Sequence, residues 1–201
     1  MSATMKNSLK AAAALIAIAV VSVVLLALAN RFFPKYVPKL DADKVTQLNA
    51  MLPTGADDAT ALDESYFSID ADFDLEAFNK NNGAGGSSVL AVYKAEKGAY
   101  AGSIITETQS TGYGSQIMIL LTSYGTDGKI NGFAAVRTSG DYLLEDADKY
   151  EKLKSAVIGK TAMTQGQVLS STGATAAGSA SGVEKNLALS GECYRAVKEG
   201  A

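Results

Sequence analysis

The stretch QIMILLTSYGTDGKINGFAAVRT, residues 116–138, decides the fold of this chain. It contains two largely apolar runs, Gln116–Ser123 and Ile130–Thr138, on either side of a short polar segment. That segment, Tyr124–Lys129, contains the dipeptide Asp-Gly, and Asp-Gly between two strand-like runs is a strong signal for a β-hairpin. The sequence therefore predicts an antiparallel pair of strands near the middle of the chain.

Patterns elsewhere in the chain extend this hairpin into a domain. Two more strand-like runs precede it, at Val89–Tyr93 and Ala99–Thr106. The predicted helices are Asp43–Leu52, Asp72–Asn79, Asp146–Ile158 and Ala176–Val197, and a brief extended piece is predicted at Gln167–Ser170. Strands gathered in the middle and helices toward the ends predict an α+β domain with a largely antiparallel sheet and flanking helices.

An apolar segment lies near the N-terminus. Ala11–Ala29 holds nineteen residues that are uncharged and apolar except for Ser22. At about 1.5 Å per residue this segment is long enough for a hydrocarbon core of about 30 Å, so a transmembrane helix is predicted, with a cleaved signal peptide as the alternative. The predicted organisation is a cytoplasmic N-terminus at 1–10, a single transmembrane helix at 11–30, a linker at 31–40 and one globular domain at 41–201.

Composition excludes several kinds of chemistry. The chain contains no His, no Trp and a single Cys, Cys193. A histidine general base, a CxxC redox pair, a CxxCH haem attachment and a Cys/His metal site are therefore impossible. Redox work would need an organic cofactor, so no catalytic side chain and no metal site are predicted. Acidic residues outnumber basic ones by 21 to 18, without a basic stripe, which argues against a nucleic-acid partner.

The stretch with the most chemical meaning is Ser171-Thr-Gly-Ala-Thr175, which is followed by small residues and then by a predicted helix. If the helix begins just after Thr175, its first N–H groups and the positive end of its dipole face that hydroxyl. A phosphate attached there would be stabilised, and Gly173 would let the backbone approach it closely. The alternative is that Thr172 or Thr175 simply caps the helix.

The Ser171–Thr175 stretch resembles the (S/T)GAT signature of covalently flavinylated proteins, in which FMN is joined through its phosphate to the last Thr. Gly112–Ile117 and Asp127–Gly132 are similar to the core of the FMN-binding domain family. That family includes the G subunit of the Rnf ion-translocating electron-transport complex and the C subunit of the sodium-pumping NADH:quinone reductase. The chain departs from the family pattern at Leu169, because members often carry an Asp six residues before the modified Thr.

The resemblance implies that FMN is attached covalently to Thr175 by a phosphoester. The other residues that it implies for cofactor binding are Thr172, Gly173 and Ala174 around the attachment point, and Gly112, Tyr113 and Gly114 near the flavin. The implied partners are the other membrane and redox subunits of an Rnf-like complex, a flavin transferase during maturation, and the lipid bilayer, with the domain at 41–201 outside the cytoplasm.

The function implied by the resemblance is that of an electron-transfer subunit without an active site of its own. The whole complex would be a translocase that couples electron transfer between ferredoxin and NAD to ion translocation across the membrane. Two alternatives stay open. One is an anchored flavoprotein that donates electrons to a separate extracytoplasmic reductase, and the other is a scaffold subunit that has lost the cofactor.

Overall fold

The computed structural model describes residues 15–25, 40–51, 64–83, 85–138, 140–161, 166–173 and 177–200. The chain divides into two units, Met1–Val37 and Pro38–Ala201. In the first unit, residues 15–25 form a helical segment whose side chains are exposed. All the elements discussed below belong to the second unit.

The predicted transmembrane helix is contradicted. Among the described residues, no helix is both long enough and apolar enough to cross a membrane. The prediction of a span at 11–30, and the single-pass membrane location that depended on it, are corrected accordingly. Residues 1–14 and 26–39, which include the predicted N-terminal segment and most of the linker, lie outside the described residues.

The second unit is built around an antiparallel sheet whose strands follow one another in chain order. In the described part of the chain the strands are β1 Phe67–Ile69, β2 Ser88–Ala95, β3 Ile104–Thr111, β4 Ile117–Tyr124 and β5 Ile130–Arg137. Each strand pairs with the next, and the predicted hairpin joins β4 to β5 through a turn in which Gly125 N–H donates to Lys129 O at 2.8 Å. The described domain is α+β, and the fold-class prediction was wrong in its transmembrane helix.

In the sequence, helices come before, between and after the strands. They are α1 Ala42–Met51, α2 Leu75–Asn82, α3 Tyr142–Glu145, α4 Ala147–Val157, α5 Gln167–Thr172 and α6 Ala177–Glu199, with 3-10 turns at Glu64–Tyr66, Gly98–Tyr100 and Tyr113–Ser115. Four of these helices have an aspartate N-cap whose carboxylate accepts N–H groups of the first turn, namely Asp41, Asp74, Asp141 and Asp146. Asp is among the preferred residues at this position, because its oxygen pairs with N–H groups that the helix leaves unpaired.

Three predicted elements differ from the structure. The helix predicted at Asp72–Asn79 begins at Leu75 and ends at Asn82. Gln167–Ser170 was predicted to be extended but belongs to α5, because Val168 and Thr172 lie four residues apart and both point into the core of the domain. The strand predicted at Ala99–Thr106 begins later, at Ile104. The residues before it form a turn in which Gly102 N–H donates to Ala95 O at 2.7 Å.

Both faces of the sheet are buried, which explains why its strands are so apolar. Neighbouring residues of β4 point to opposite faces, so Leu120 and Leu121 belong to different core clusters. Leu121 packs in the cluster that includes Leu48 and Met51 of α1. The clusters on the other face are formed largely with the long helix α6 and include Val183, Leu187, Leu189 and Cys193.

Candidate functional site

The turn between β3 and β4 is tight and left-handed. Gly112 N–H donates to Gln116 O at 2.8 Å, and Gln116 N–H donates to Tyr113 O at 3.3 Å. Gly114 and Ser115 both have positive φ, +64° and +62°, as the central residues of a type I′ hairpin turn do. Ser115 is the one non-glycine with positive φ among the described residues, at a cost of about 1–2 kcal/mol. The turn leaves the Tyr113 side chain 70% exposed.

The start of α6 packs directly against this turn. A Cβ atom built on Gly178 would lie 3.2 Å from the Cα of Tyr113. One built on Gly182 would lie 2.8 Å from Met118 Cε and 3.0 Å from Thr111 O. Because the two glycines are four residues apart, they share one face of the helix. Neither position carries a side chain beyond hydrogen, and the first two turns of α6 therefore come close to the end of the β3–β4 hairpin.

A line of buried polar contacts holds α6 in register on β3. Asn186 Nδ2 donates to Ser110 Oγ at 2.9 Å, and Ser110 Oγ donates to Gly182 O at 2.7 Å. Further along the helix, Thr106 Oγ1 and Ser190 Oγ are 2.5 Å apart. Polar pairs of this kind require one specific alignment, because a slip of the helix would leave buried donors and acceptors unpaired.

The predicted cofactor residues that the structure describes lie in two places. Gly112, Tyr113 and Gly114 form the turn that contacts the first residues of α6. Gly173 ends α5 in the left-handed conformation, with φ of +63° and its N–H bonded to Leu169 O at 3.0 Å. Ala174 and Thr175 lie outside the described residues.

Thr172 has a structural role in α5. Its side chain is 2% exposed, and its hydroxyl donates to Val168 O at 2.7 Å. A Thr hydroxyl that bonds to the carbonyl four residues earlier is a common arrangement inside helices. Thr172 is thus the last residue of α5.

Two polar side chains that the sequence did not single out as site residues border this region. Asp141 Oδ1 accepts N–H groups of Leu143 and Leu144 at 3.0 and 3.3 Å, but Asp141 Oδ2 is buried without a hydrogen-bond partner. A Cβ atom built on Gly112 would lie 2.9 Å from this Oδ2, so the carboxylate packs against the turn. Ser179, in the first turn of α6, also has a buried hydroxyl without a partner. Only the tertiary packing shows these two atoms to be unpaired.

A second polar cluster lies between α1 and the sheet. Tyr93 Oη donates to Glu107 Oε2 at 2.6 Å, and Lys44 Nζ donates to Glu107 Oε1 at 2.9 Å. Burial and the hydrogen bond to this carboxylate raise the pKa of Tyr93 well above its ordinary value. The cluster joins α1 to β2 and β3 and is explained by packing alone.

Cys193 has no sign of reactivity. Its side chain is fully buried in α6, and burial raises the pKa of the thiol to about 12. Because the thiolate is the reactive form, a thiol with this pKa is almost entirely inert near neutral pH.

A separate open cleft of about 530 Å³ lies at the other end of β4, beside the β4–β5 turn. Its lining includes Tyr100, Ser103, Lys129 and Asn131. None of the residues predicted to bind a cofactor lies in this cleft. The turn at Gly112–Gln116 and the start of α6 therefore form the candidate site.

Comparison with known proteins identifies no relative of this chain. No protein-family model matches this chain, and no curated protein and no solved structure matches it either.

Proposed function

We propose that this protein is an electron carrier that holds FMN through a phosphoester to Thr175. In this proposal it serves as one component of an Rnf-type complex that couples electron transfer between ferredoxin and NAD to ion translocation. The observation that supports it is the contact between Tyr113 and Gly178. One segment that resembles the FMN-binding domain family, Gly112–Ile117, thus lies against the start of the helix that follows the other, Ser171–Thr175, in the sequence.

The start of α6 suits a phosphorylated group. The first N–H groups of an α-helix have no acceptor within the helix, and the dipole of a helix of 23 residues adds partial positive charge at that end. Ala177 and Gly178 are small, and Ala177 is exposed, so the backbone there is accessible. The helix begins at Ala177, two positions after Thr175 in the sequence. These residues fit the phosphate of FMN.

The residues of the Gly112–Gln116 turn suit the aromatic ring system of FMN. Tyr113 presents an exposed aromatic face beside the first turn of α6, and planar rings stack on such faces. Bound FMN would supply the electron-transfer chemistry. The role of the chain would be to hold the group, to orient the ring beside Tyr113 and to set its surroundings. No acid or base of the protein is needed for that role.

The attachment is tested by expressing the full chain with a flavin transferase and examining a denaturing gel for a fluorescent band. We expect a band for the wild type and none for Thr175→Ala. A matched control is Ser171→Ala, which removes a neighbouring hydroxyl that donates to Val168 O and should keep the band. A fluorescent Thr175→Ala protein would refute the site assignment.

A scaffold without a cofactor is the second candidate, and one observation favours it. Leu169 stands where members of the FMN-binding family often carry Asp, and here its side chain packs against the main core cluster. The position therefore serves packing in this chain. A wild type that stays dark beside a transferase that is active on another substrate would favour the scaffold.

The place of the carrier in a complex needs its own test. Affinity-tagged protein purified from its source cells should carry flavin that is reduced by reduced ferredoxin or by NADH when the other redox subunits are present. Co-purification with one separate reductase, and no reduction by either donor, would favour the alternative role as an electron donor to that reductase.

A further inference from the structure

The open cleft beside the β4–β5 turn plays no part in the proposed function. It lies where β4 ends, next to Gly125, whereas the candidate site lies where β4 begins, next to Ile117. The 8 residues of β4 separate the two places by about 25 Å, at roughly 3.3 Å per residue. The volume of about 530 Å³ falls within the range of small-molecule sites, about 300–1,000 Å³. The cleft is therefore large enough for a ligand of its own.

Hydrogen bonds between distant segments hold the walls of the cleft together. Asn131 Nδ2, in β5, donates to Ser103 Oγ at 3.0 Å, on the segment that leads into β3. Ile130 N–H donates to Lys160 O at 2.8 Å, and Gly159 N–H donates to Ile130 O at 2.7 Å. Because the protein itself makes these contacts, the cleft is formed in advance of binding, which lowers the entropy cost of holding a ligand.

A β-bulge in β5 places Asn131 in the wall of the cleft. Ser123 pairs with Gly132 and Tyr124 pairs with Ile130, so Asn131 is an extra residue between two pairs of the β4–β5 ladder. The extra residue of a bulge leaves the regular alternation of a strand, and bulges often redirect a side chain next to a binding site. Here the redirected side chain lines the cleft and fixes Ser103.

A hydrogen-bond donor and an acceptor lie side by side in the lining. Lys129 Nζ is 3.9 Å from Asp127 Oδ2, and the two side chains are 58% and 61% exposed. This distance is longer than a hydrogen bond, so each group can still bond to a ligand. Their charges cancel, which favours a neutral ligand. Two neighbouring hydroxyls of one molecule match the pair, because one can accept from the ammonium while the other donates to the carboxylate.

The rest of the lining includes apolar and aromatic side chains. Ile158 packs against the main core cluster, Ile130 is buried, and Tyr100 is half-buried. All three line the cleft. A ring with C–H groups on its faces and hydroxyls at its edge suits this combination, because the faces pack on apolar and aromatic groups while the edge forms hydrogen bonds. Sugar rings have this structure.

We propose that the cleft binds a neutral saccharide, with Tyr100 packing against a sugar ring and the Asp127–Lys129 pair bonding to two neighbouring hydroxyls. This binding activity is separate from electron transfer and does not depend on FMN. Because the cleft is open, the bound sugar can be one unit of a longer oligosaccharide that extends into solvent.

Ligand-observed NMR with the full chain tests this proposal. Saturation transfer from the protein is measured to glucose, galactose, mannose and N-acetylglucosamine, each added alone. We expect transfer to the ring C–H protons of at least one of these sugars. Tyr100→Ala should abolish the transfer, and Tyr100→Phe should retain it, because the aromatic ring is kept. Lys129→Met and Asp127→Asn should each weaken binding about tenfold, since each removes a hydrogen bond to a charged group.

Control variants lie elsewhere on the domain. Tyr142→Ala removes an exposed tyrosine of α3, and Lys185→Met changes an exposed lysine of α6. Both should bind the sugar like the wild type. Lys129→Met also guards against a folding defect in Tyr100→Ala, because it changes a side chain that is mostly exposed. It should unfold at the same urea concentration as the wild type.

Three results would overturn the proposal. The first is a wild type that shows no transfer to any of the four sugars. The second is equal transfer in the wild type, Tyr100→Ala and Lys129→Met, which would place the sugar elsewhere. The third is transfer to leucine, a zwitterionic probe, and to none of the sugars. Thr175→Ala should bind the sugar like the wild type, so this experiment and the flavinylation gel succeed or fail separately.

Discussion

Gly182 and Met118 approach each other so closely that a Cβ atom on the glycine would lie 2.8 Å from Met118 Cε and 2.9 Å from its Sδ. The backbone is equally close, since the same Cβ would lie 3.0 Å from Thr111 O. A methionine side chain can move to another rotamer, but the carbonyl of a paired strand cannot move without weakening the pairing of that strand. The absence of a side chain at 182 therefore sets the distance between α6 and the hairpin.

We expect Gly182→Ala to lower the free energy of unfolding by about 1–3 kcal/mol, because the added methyl group overpacks the contact. Gly191→Ala is the matched control on the same helix. Its Cβ would make only ordinary contacts, with Tyr124 Oη at 3.5 Å the nearest, and alanine is the better helix former by about 1 kcal/mol. Urea unfolding should thus give opposite signs for the two variants. Equal effects would contradict the close-contact explanation.

Tyr113→Ala should change the flavin and leave the fold almost unchanged. The side chain is 70% exposed, so its loss should alter stability by no more than about 0.5 kcal/mol. In the flavinylated protein, removing the ring beside the start of α6 should raise flavin fluorescence, because a stacked tyrosine quenches it. Tyr142→Ala is the control, since this tyrosine is equally exposed, at 69%, and lies under Lys149 instead. A similar increase in both variants would argue against a specific contact.

Leu169→Asp should raise the flavinylated fraction when transferase is scarce, because it restores the acidic residue that the FMN-binding family often carries there. The structure adds a cost: Leu169 packs against the main core cluster, so we expect a loss of about 1–3 kcal/mol in stability. Leu169→Asn should lose about as much packing without gaining a carboxylate. If both variants are flavinylated to the same extent as the wild type on the denaturing gel, the transferase does not read this position.

Tyr93→Phe should reduce the loss of stability at alkaline pH. The folded-state pKa of Tyr93 is raised above its ordinary value of about 10 by burial and by Glu107. Its contribution to stability is therefore fully present below pH 10 and is lost as the pH rises above 10. Each such group contributes at most about 1.4 kcal/mol per pH unit.

Urea unfolding at pH 9, 10 and 11 measures this slope. The variant should also lose about 1–2 kcal/mol near neutral pH, because it removes the hydrogen bond to the buried Glu107. Tyr124 supplies a second source of alkaline instability, since burial raises its pKa to about 12. The slope should consequently decrease in Tyr93→Phe without disappearing, and an unchanged slope would mean that Tyr93 does not carry the effect.

The part of the fold that depends on neighbouring residues could be predicted from the sequence. The β4–β5 hairpin follows from Asp-Gly between two apolar runs, and its turn closes through a local hydrogen bond from Gly125 to Lys129. The start of α4 follows from Asp146, whose carboxylate accepts a hydrogen bond from Lys149 N–H. Both signals act over a few residues, and each is satisfied within the segment that carries it.

Local patterns were a poor guide where contacts with distant residues decide the structure. Hydropathy alone predicted a transmembrane span, and no helix among the described residues is long and apolar enough to cross a membrane. The extended prediction for Gln167–Ser170 failed because contacts of α5 with the core outweigh its weak local preference. The candidate site shows the same division, since motif resemblance picked out Gly112–Gly114, but only the packing shows that this turn lies against Gly178.

The sequence by itself determined which segments form the β4–β5 hairpin and the long C-terminal helix, because turn chemistry and apolar periodicity are properties of adjacent residues. Only the tertiary structure decided that the Gly112–Gln116 turn lies against Gly178, and that Asp141 and Ser179 keep unpaired oxygens beside it. The physical reason is that these relationships depend on how α6 packs across β3 and β4, which joins residues that no local pattern connects.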